Sequence, residues 1–417
     1  MNALLRPDRS MHAETVSRLG DFTEHYDVGE FCDCEQLYLG YVNTSYIVWT
    51  RVDGEKKKYF LRKYKRGIEA KEIEFEHSII NHLVEKGFAL VAGIVRTRDG
   101  QTYVECLDGG EGAFYALFCF LPGEDRYTWV NPACSQSELA DAASVLARFH
   151  DAVFDLSPQG KRREPKIVDL LPAIAANAQK CTDQTKGTVF DAYLLENLAA
   201  LDKNIQRTAR ALGGQACKQI PRQVIHCDYH PGNLKFQGGD ITGLFDFDWS
   251  KIDARCFDVA LATTYFCARW PGKEPGSLDL GKMAVFLRAY QDALKGTREP
   301  GPLSEVELTC LPHMMSASNL YVLNWTVKDF YAQEADPDEY LIFLRHGIHL
   351  IRWLENEGNW SELEDTLFPN KESSKNNFVS SWRNNDRKEP GPNSTAFVEF
   401  AGCGRHDRPC RDHFKLY

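Results

Sequence analysis

One short breaker, Leu121-Pro122-Gly123, separates two kinds of sequence and limits the fold more than any other feature. Before it the texture is β. SYIVWTRV from Ser45, a charged turn DGEKKK from Asp53, and YFLRKY predict a hairpin over 45–64. Residues 70–86 interrupt with a helix whose apolar positions Ile73, Ile79, Ile80, Leu83 and Val84 form one stripe. VAGIVRT, QTYVECL and AFYALFCFL supply three more strands. After the breaker helical candidates dominate, at 136–153, 167–180, 188–212, 256–269, 279–295, 303–334 and 337–357, around a β island at 224–248. Strands followed by helices specify an α+β protein of two lobes. The expected parts are a polar lead-in at 1–25, a β-rich lobe at 26–121, a helical lobe at 122–365 and a tail at 366–417. The tail is rich in Asn, Ser, Arg, Lys, Gly and Pro and lacks periodicity, so it is expected to be disordered.

The chain is too long, at 417 residues, for one small core, and its net charge of −10 argues against a nucleic-acid partner. No run approaches the roughly 20 apolar residues of a membrane span. No apolar segment of a signal peptide opens the chain. A cytoplasmic location and no membrane partner are expected. The 13 Cys are scattered without a C-x-x-C, which points to a reducing compartment. Cys403, His406, Cys410 and His413 in the tail lack a usual zinc spacing.

The β island carries the chemistry. In VIHCDYHPGNLKF, Pro231-Gly232 forces a tight loop between two apolar runs and displays Asp228 and Asn233 on it. Downstream, ITGLFDFD reads as a strand that ends in Asp246 and Asp248. Alternation sends both to one side and Phe247 to the other. A hairpin at Gln237-Gly-Gly-Asp240 folds Asp246 back towards Asn233. Phosphoryl transfer from ATP needs one carboxylate to take a hydroxyl proton and other oxygen ligands to hold Mg²⁺ on the phosphates. Asp228 suits the first task. Asn233 and Asp246 suit the second, with Asp248 assisting.

His226-x-Asp228-x4-Asn233 followed by Asp246-Phe-Asp248 resembles the aminoglycoside phosphotransferase and choline kinase superfamily, over most of residues 26–357. That resemblance implies a protein-kinase-like fold, with ATP and Mg²⁺ bound between the lobes. Arg62, in Phe60-Leu61-Arg62, stands where the superfamily has a phosphate-pairing lysine, and Lys63 beside it faces away. Glu76, inside the apolar stripe of its helix, needs a buried partner, and Arg62 would supply one. Gly40, Asn43 and Thr44 resemble the nucleotide loop. Phe118 and Phe120, just before Pro122-Gly123, resemble the hinge that binds adenine. Asp258 resembles an Asp that begins a helix, where it would cap that helix and brace the catalytic loop.

The phosphate acceptor stays open. The chain is similar to the branch containing homoserine kinase, on Asn43-Thr-Ser-Tyr and Phe120-Leu-Pro-Gly, so a small amino alcohol is expected. Choline or ethanolamine, an aminoglycoside or a sugar are the alternatives. Trp249, Tyr321, Trp325 and Asp329 are the aromatic and acidic candidates for contacting it. Two other classes compete. A metallohydrolase would use His226, Asp228 and His230 as ligands, but the neighbouring strand supplies carboxylates rather than more His. A nucleotide-binding protein without activity would explain an arginine at the lysine position, yet base and metal ligands are all present.

Overall fold

The computed structural model describes residues 19–37, 42–108, 110–130, 132–270, 275–297, 299–333 and 335–369. Gly40 and the tail beyond 369, with Cys403, His406, Cys410 and His413, lie outside the described residues.

The first lobe is an antiparallel sheet. It comprises β1 (Glu30–Leu37), β2 (Thr44–Val52), β3 (Glu55–Lys63), β4 (Ile94–Val95), β5 (Val104–Asp108) and β6 (Glu111–Cys119), with helix α1 (Ala70–Glu85) between β3 and β4. The strand order is β1-β2-β3-β6-β4, and β5 also pairs with β6. The β2–β3 hairpin turns on Asp53 and Gly54, at φ 52° and 85°. Such two-residue turns match the strand twist. The expected charged turn is thus shorter: Glu55 already faces Val52, and the lysines after it belong to the strand. Sequence reading missed β1, because EFCDCEQL is a mostly exposed edge strand with few apolar residues.

Alternation along β3 and β6 assigns each side chain to a face. Leu61, Tyr115 and Leu117 join a small core with Leu19, Phe22 and Tyr26. The segment 19–25 is therefore packed rather than a loose lead-in, since its apolar side chains cover the far face of the sheet. Phe60, Ala116 and Phe118 face the other way, against the core that holds Ile73, Ile79, Ile80 and Leu83 of α1. Val84, expected on the same stripe, is 50% exposed.

The second lobe contains α2 (Gln136–Ala152), α3 (Ile167–Thr182), α4 (Val189–Leu212), the short α5 (Gln215–Lys218), α6 (Arg255–Cys267), α7 (Leu280–Ala293), α8 (Glu305–Ala332), α9 (Pro337–Glu355) and α10 (Glu357–Leu367). Reciprocal capping boxes start three of them: Ser135 with Glu138 on α2, Thr188 with Asp191 on α4, and Ser304 with Glu307 on α8. α10 is a further correction. Asn356 accepts the N–H groups of Gly358 and Asn359, so a new helix begins, buries Leu363, and runs on past the expected boundary at 366 to bury Leu367. Cys217 of α5 and Cys310 of α8 form a disulfide across 93 residues. The reading of scattered thiols did not foresee this pair, since only the packing of α5 on α8 brings them together.

Four short strands set the site: β7 (Arg222–Ile225) pairs with β10 (Lys251–Ala254), and β8 (Leu234–Gln237) with β9 (Asp240–Leu244). The lobe connection is stitched to the β8–β9 hairpin, because Glu124 and Phe236 exchange both backbone hydrogen bonds. Gly123, at φ 119°, has no room for a side chain there. A Cβ would lie 2.5 Å from Thr242 Oγ1 and 2.9 Å from Lys235 Cβ.

Candidate active site

β7 runs straight into the loop that carries Asp228. Cys227 turns the chain at φ 64°, an unusual conformation for a side-chain-bearing residue. Asp258 holds that turn: its two carboxylate oxygens accept the N–H groups of His226 and Cys227, each at 2.8 Å. Asp258 is fully buried and also lies 3.1 Å from His150 Nε2, while His150 Nδ1 meets Tyr290 at 2.7 Å. It does not cap α6, whose N-cap is Ala254; its carboxylate is spent on the loop instead. His226 is buried, with Nε2–H donating to the Phe245 carbonyl at 3.1 Å and Nδ1 accepting the Asp228 N–H at 3.3 Å.

Asn233 stands in the turn at Pro231–Asn233, and its amide donates to Asp228 Oδ2 at 3.0 Å and to the Asp228 carbonyl at 2.9 Å. His230 Nε2 lies 3.5 Å from the same carboxylate oxygen. Burial pushes the Asp228 carboxyl up, but His230, His226 and the Asn233 amide outweigh it and hold it below the usual carboxylate range. Asp228 is therefore ionised at neutral pH, as a proton acceptor must be.

β9 stops at Leu244, so alternation is not what aims the two acids. Asp246 takes the left-handed conformation at φ 67°, and Phe247–Trp249 form a tight turn that buries Phe247. Asp246 Oδ1 accepts from Arg62 Nη2 at 2.8 Å, and Arg62 Nη1 donates to Glu76 Oε1 at 2.9 Å. Tyr64 O–H completes Glu76 at 2.9 Å. The expected Arg62–Glu76 pair thus forms with both side chains buried, while Lys63 lies over Tyr115. Asn43 crosses from the sheet lobe, donating to Asp248 Oδ2 at 2.8 Å and accepting the Lys65 N–H at 2.9 Å. Burial, then the carboxylates of Asp248 and Asp228, push Asp246 well above its ordinary value against the pull of Arg62.

The donor set fits a hard divalent cation. Asp248 Oδ1 is buried and has no hydrogen-bond donor among the described residues. Asp248 and Asp228 both act electrostatically on Asp246, which concentrates negative charge around it. Among the described residues no three His, Cys, Asp or Glu make a self-sufficient metal site. Carboxylate and amide oxygens are the ligand type that hard divalent cations such as Mg²⁺ take.

Beside Arg62, Glu76 and Asp246, an apolar hollow is walled by Phe60, Ile80, Val91, Phe118 and Leu244. Phe118, expected at the adenine hinge, lines this hollow. Phe120 lies under Lys58, and Thr44, at the start of β2, pairs with Lys63 of β3. Of the acceptor candidates, Trp249 sits between Lys65 and Arg162, and Tyr321 donates to Glu164 at 3.0 Å. Trp325 packs edge-on against Trp129. Asp329 is taken up by Tyr340 and Gln333. Sequence reading missed Lys65 and Arg162. No local pattern links them to Trp249, because the fold alone brings three distant segments together.

The model of the phosphotransferase enzyme family matches residues 33–305. The chain belongs to this family. Among sequence relatives of this phosphotransferase, a homoserine kinase of Bradyrhizobium sp. (strain ORS 278) is 27% identical over 338 residues, covering 79% of this chain and 92% of the relative. A homoserine kinase of Methylocella silvestris is 25% identical, covering 72% and 82%. Among solved structures, a microcompartment-associated aminopropanol kinase aligns over 84% of this chain and 99% of its own, at TM-score 0.60 and 17% identity. Amicoumacin kinase in complex with AMP-PNP and Ca²⁺ aligns over 82% and 96%, at TM-score 0.56 and 17% identity. These two show the shared kinase-like fold. The phosphotransferase thus uses ATP to phosphorylate a hydroxyl of a small molecule. Among the described residues no helix is long and apolar enough to cross a membrane.

Proposed function

We propose that this cytoplasmic phosphotransferase transfers the γ-phosphoryl group of ATP to a hydroxyl of a small amino alcohol, with Asp228 as the general base. The acceptor oxygen forms a bond to the γ-phosphorus and the bond from that phosphorus to the β–γ bridging oxygen breaks. ADP leaves, and the hydroxyl proton passes to Asp228. Asn233, by donating to Oδ2, leaves the other Asp228 oxygen for that proton. Asn233 Oδ1, Asp246 and Asp248 would hold Mg²⁺, which neutralises charge on the phosphates. Arg62, steadied by Glu76, places a guanidinium beside the same oxygens. Asn43 and Thr44 on the sheet lobe and Phe118 on the cleft wall border the nucleotide.

The observation that carries this reading is the meeting of an ionised, amide-anchored Asp228 with two further carboxylates, one holding a buried oxygen without a donor. The amino-alcohol acceptor follows the homoserine kinases among the relatives and the aminopropanol kinase among the structures. The test is ADP release with a panel of amino alcohols, choline, sugars and aminoglycosides, in Mg²⁺ and in chelator. An amino alcohol should be turned over only with Mg²⁺, and Asp228→Asn should lower kcat by about 10²–10⁴-fold. Turnover that persists in Asp228→Asn would remove Asp228 from the chemistry.

A further inference from the structure

The sheet lobe reaches the Asp246–Asp248 turn from the ends of two neighbouring strands. Asn43 stands just before β2, and Lys65 lies two residues past β3, beside it because Thr44 pairs with Lys63. The Asn43 amide is occupied at both ends. Its Oδ1 accepts the Lys65 N–H at 2.9 Å, and its Nδ2 donates to Asp248 Oδ2 at 2.8 Å, across 205 residues. A backbone N–H can only donate, so it fixes which way the amide faces: the carbonyl turns to Lys65 and the N–H₂ to Asp248.

Trp249, the next residue of the turn, is gripped from the same side. Lys65 Nζ lies 5.2 Å from its ring centroid and the Arg162 guanidinium 5.3 Å. Arg162 comes from the linker between α2 and α3 and lies 3.3 Å from Glu72 of α1. Lys65 thus holds the turn twice, with its backbone through Asn43 and with its side chain through Trp249.

These contacts decide which oxygen of Asp248 is free. A carboxylate turns easily about its last bond and can present either oxygen. Here Oδ2 is taken by Asn43, while Oδ1 is buried and has no donor among the described residues. A buried carboxylate oxygen without a donor is a place that a cation would satisfy. We propose that Asn43 is a positioning residue of the phosphotransferase: by holding Asp248 Oδ2 from the sheet lobe, it presents Oδ1 to the divalent cation. This rests on the phosphotransfer reading above. It gives Asn43 a task other than touching the nucleotide, since protein partners take both ends of its amide. It also makes the metal site conditional on the lobes. Asp248 is aligned only while Asn43 and Lys65 lie on the turn, and by linkage a bound cation holds the sheet lobe there.

Calorimetry of AMP-PNP binding to the full chain, once in chelator and once with Mn²⁺, separates the cation's contribution from the nucleotide's own contacts. Mn²⁺ should raise the affinity of the unsubstituted chain. Asn43→Ala removes a hydrogen bond to a charged group, so it should lose about tenfold of that gain while its affinity in chelator stays within about twofold. Thermal unfolding in chelator checks that the variant folds. Where it does not, Asn43→Leu, of similar volume and without an amide, takes its place with the same expectation. An unchanged Mn²⁺ gain in the variant, an equal loss in chelator, or no Mn²⁺ gain in the unsubstituted chain overturns the proposal. The first two results leave phosphotransfer intact, because ADP release by the unsubstituted chain decides that reading. A Mn²⁺ gain that the variant loses supports the positioning role even where no acceptor is turned over.

Discussion

Cys227 and Asp246 bear side chains yet occupy left-handed backbone, and they flank the proposed reacting groups on either side of the β8–β9 hairpin. Such conformations cost about 1–3 kcal/mol each and persist where the surroundings over-determine them. At Cys227 the surroundings are the Asp258 carboxylate, which takes two successive N–H groups. In Asp258→Asn one oxygen becomes an amide N–H₂ that faces a donor. Urea unfolding should show a loss of about 1–3 kcal/mol, and kcat should fall more than the KM for ATP. Unchanged stability would mean the loop holds itself. The Asp228–Asn233 loop was readable because its geometry is local: six residues of one turn decide it. Asp246 and Asp248 were expected at the end of an alternating strand, whereas a left-handed residue and a tight turn carry them. The Asn43–Asp248 contact spans 205 residues and had no local signature.

Among the elements, α1 shows how a charge enters a core. Ile73 and Ile80 force Glu76 inward, strand alternation forces Arg62 towards it, and the pair forms at 2.9 Å. Breaking a buried pair by removing one partner costs about 3–5 kcal/mol, while replacing both by apolar groups costs far less. Glu76→Leu alone should therefore destabilise strongly, and Arg62→Met with Glu76→Leu should recover part of that loss while keeping a poor KM for ATP. A double-mutant cycle on unfolding free energy measures it, and strict additivity would deny the coupling. Helices with a clear apolar stripe were legible in the sequence, within two residues at most ends. β1 and α10 were not: one is a half-exposed edge strand, the other a short helix behind an Asn cap in polar sequence.

For the whole molecule, burial sets the response to acid. It pushes His77 down to about 3 and His313 and His346 to about 4. In the unfolded chain these residues take a proton near pH 6.5, and in the folded chain they do not until pH 3–4, so the unfolded state binds more protons between. Their contribution to stability is complete above pH 6.5 and is lost as pH falls, by about 1.4 kcal/mol per pH unit for each histidine. Denaturant midpoints between pH 7.5 and 5 should fall accordingly, and less steeply in His77→Gln. The two lobes are bound together across the cleft by Arg62 with Asp246 and by Asn43 with Asp248, so the site is one junction of distant segments. Occupation of that junction is most directly read from a crystal grown with Mn²⁺ and a non-hydrolysable ATP analogue. Anomalous scattering should place the metal within coordination distance of Asn233 Oδ1 and of Asp246 or Asp248, with the γ-phosphate facing Asp228. A metal bound elsewhere, or a nucleotide seated away from Arg62 and Asp246, would contradict the account.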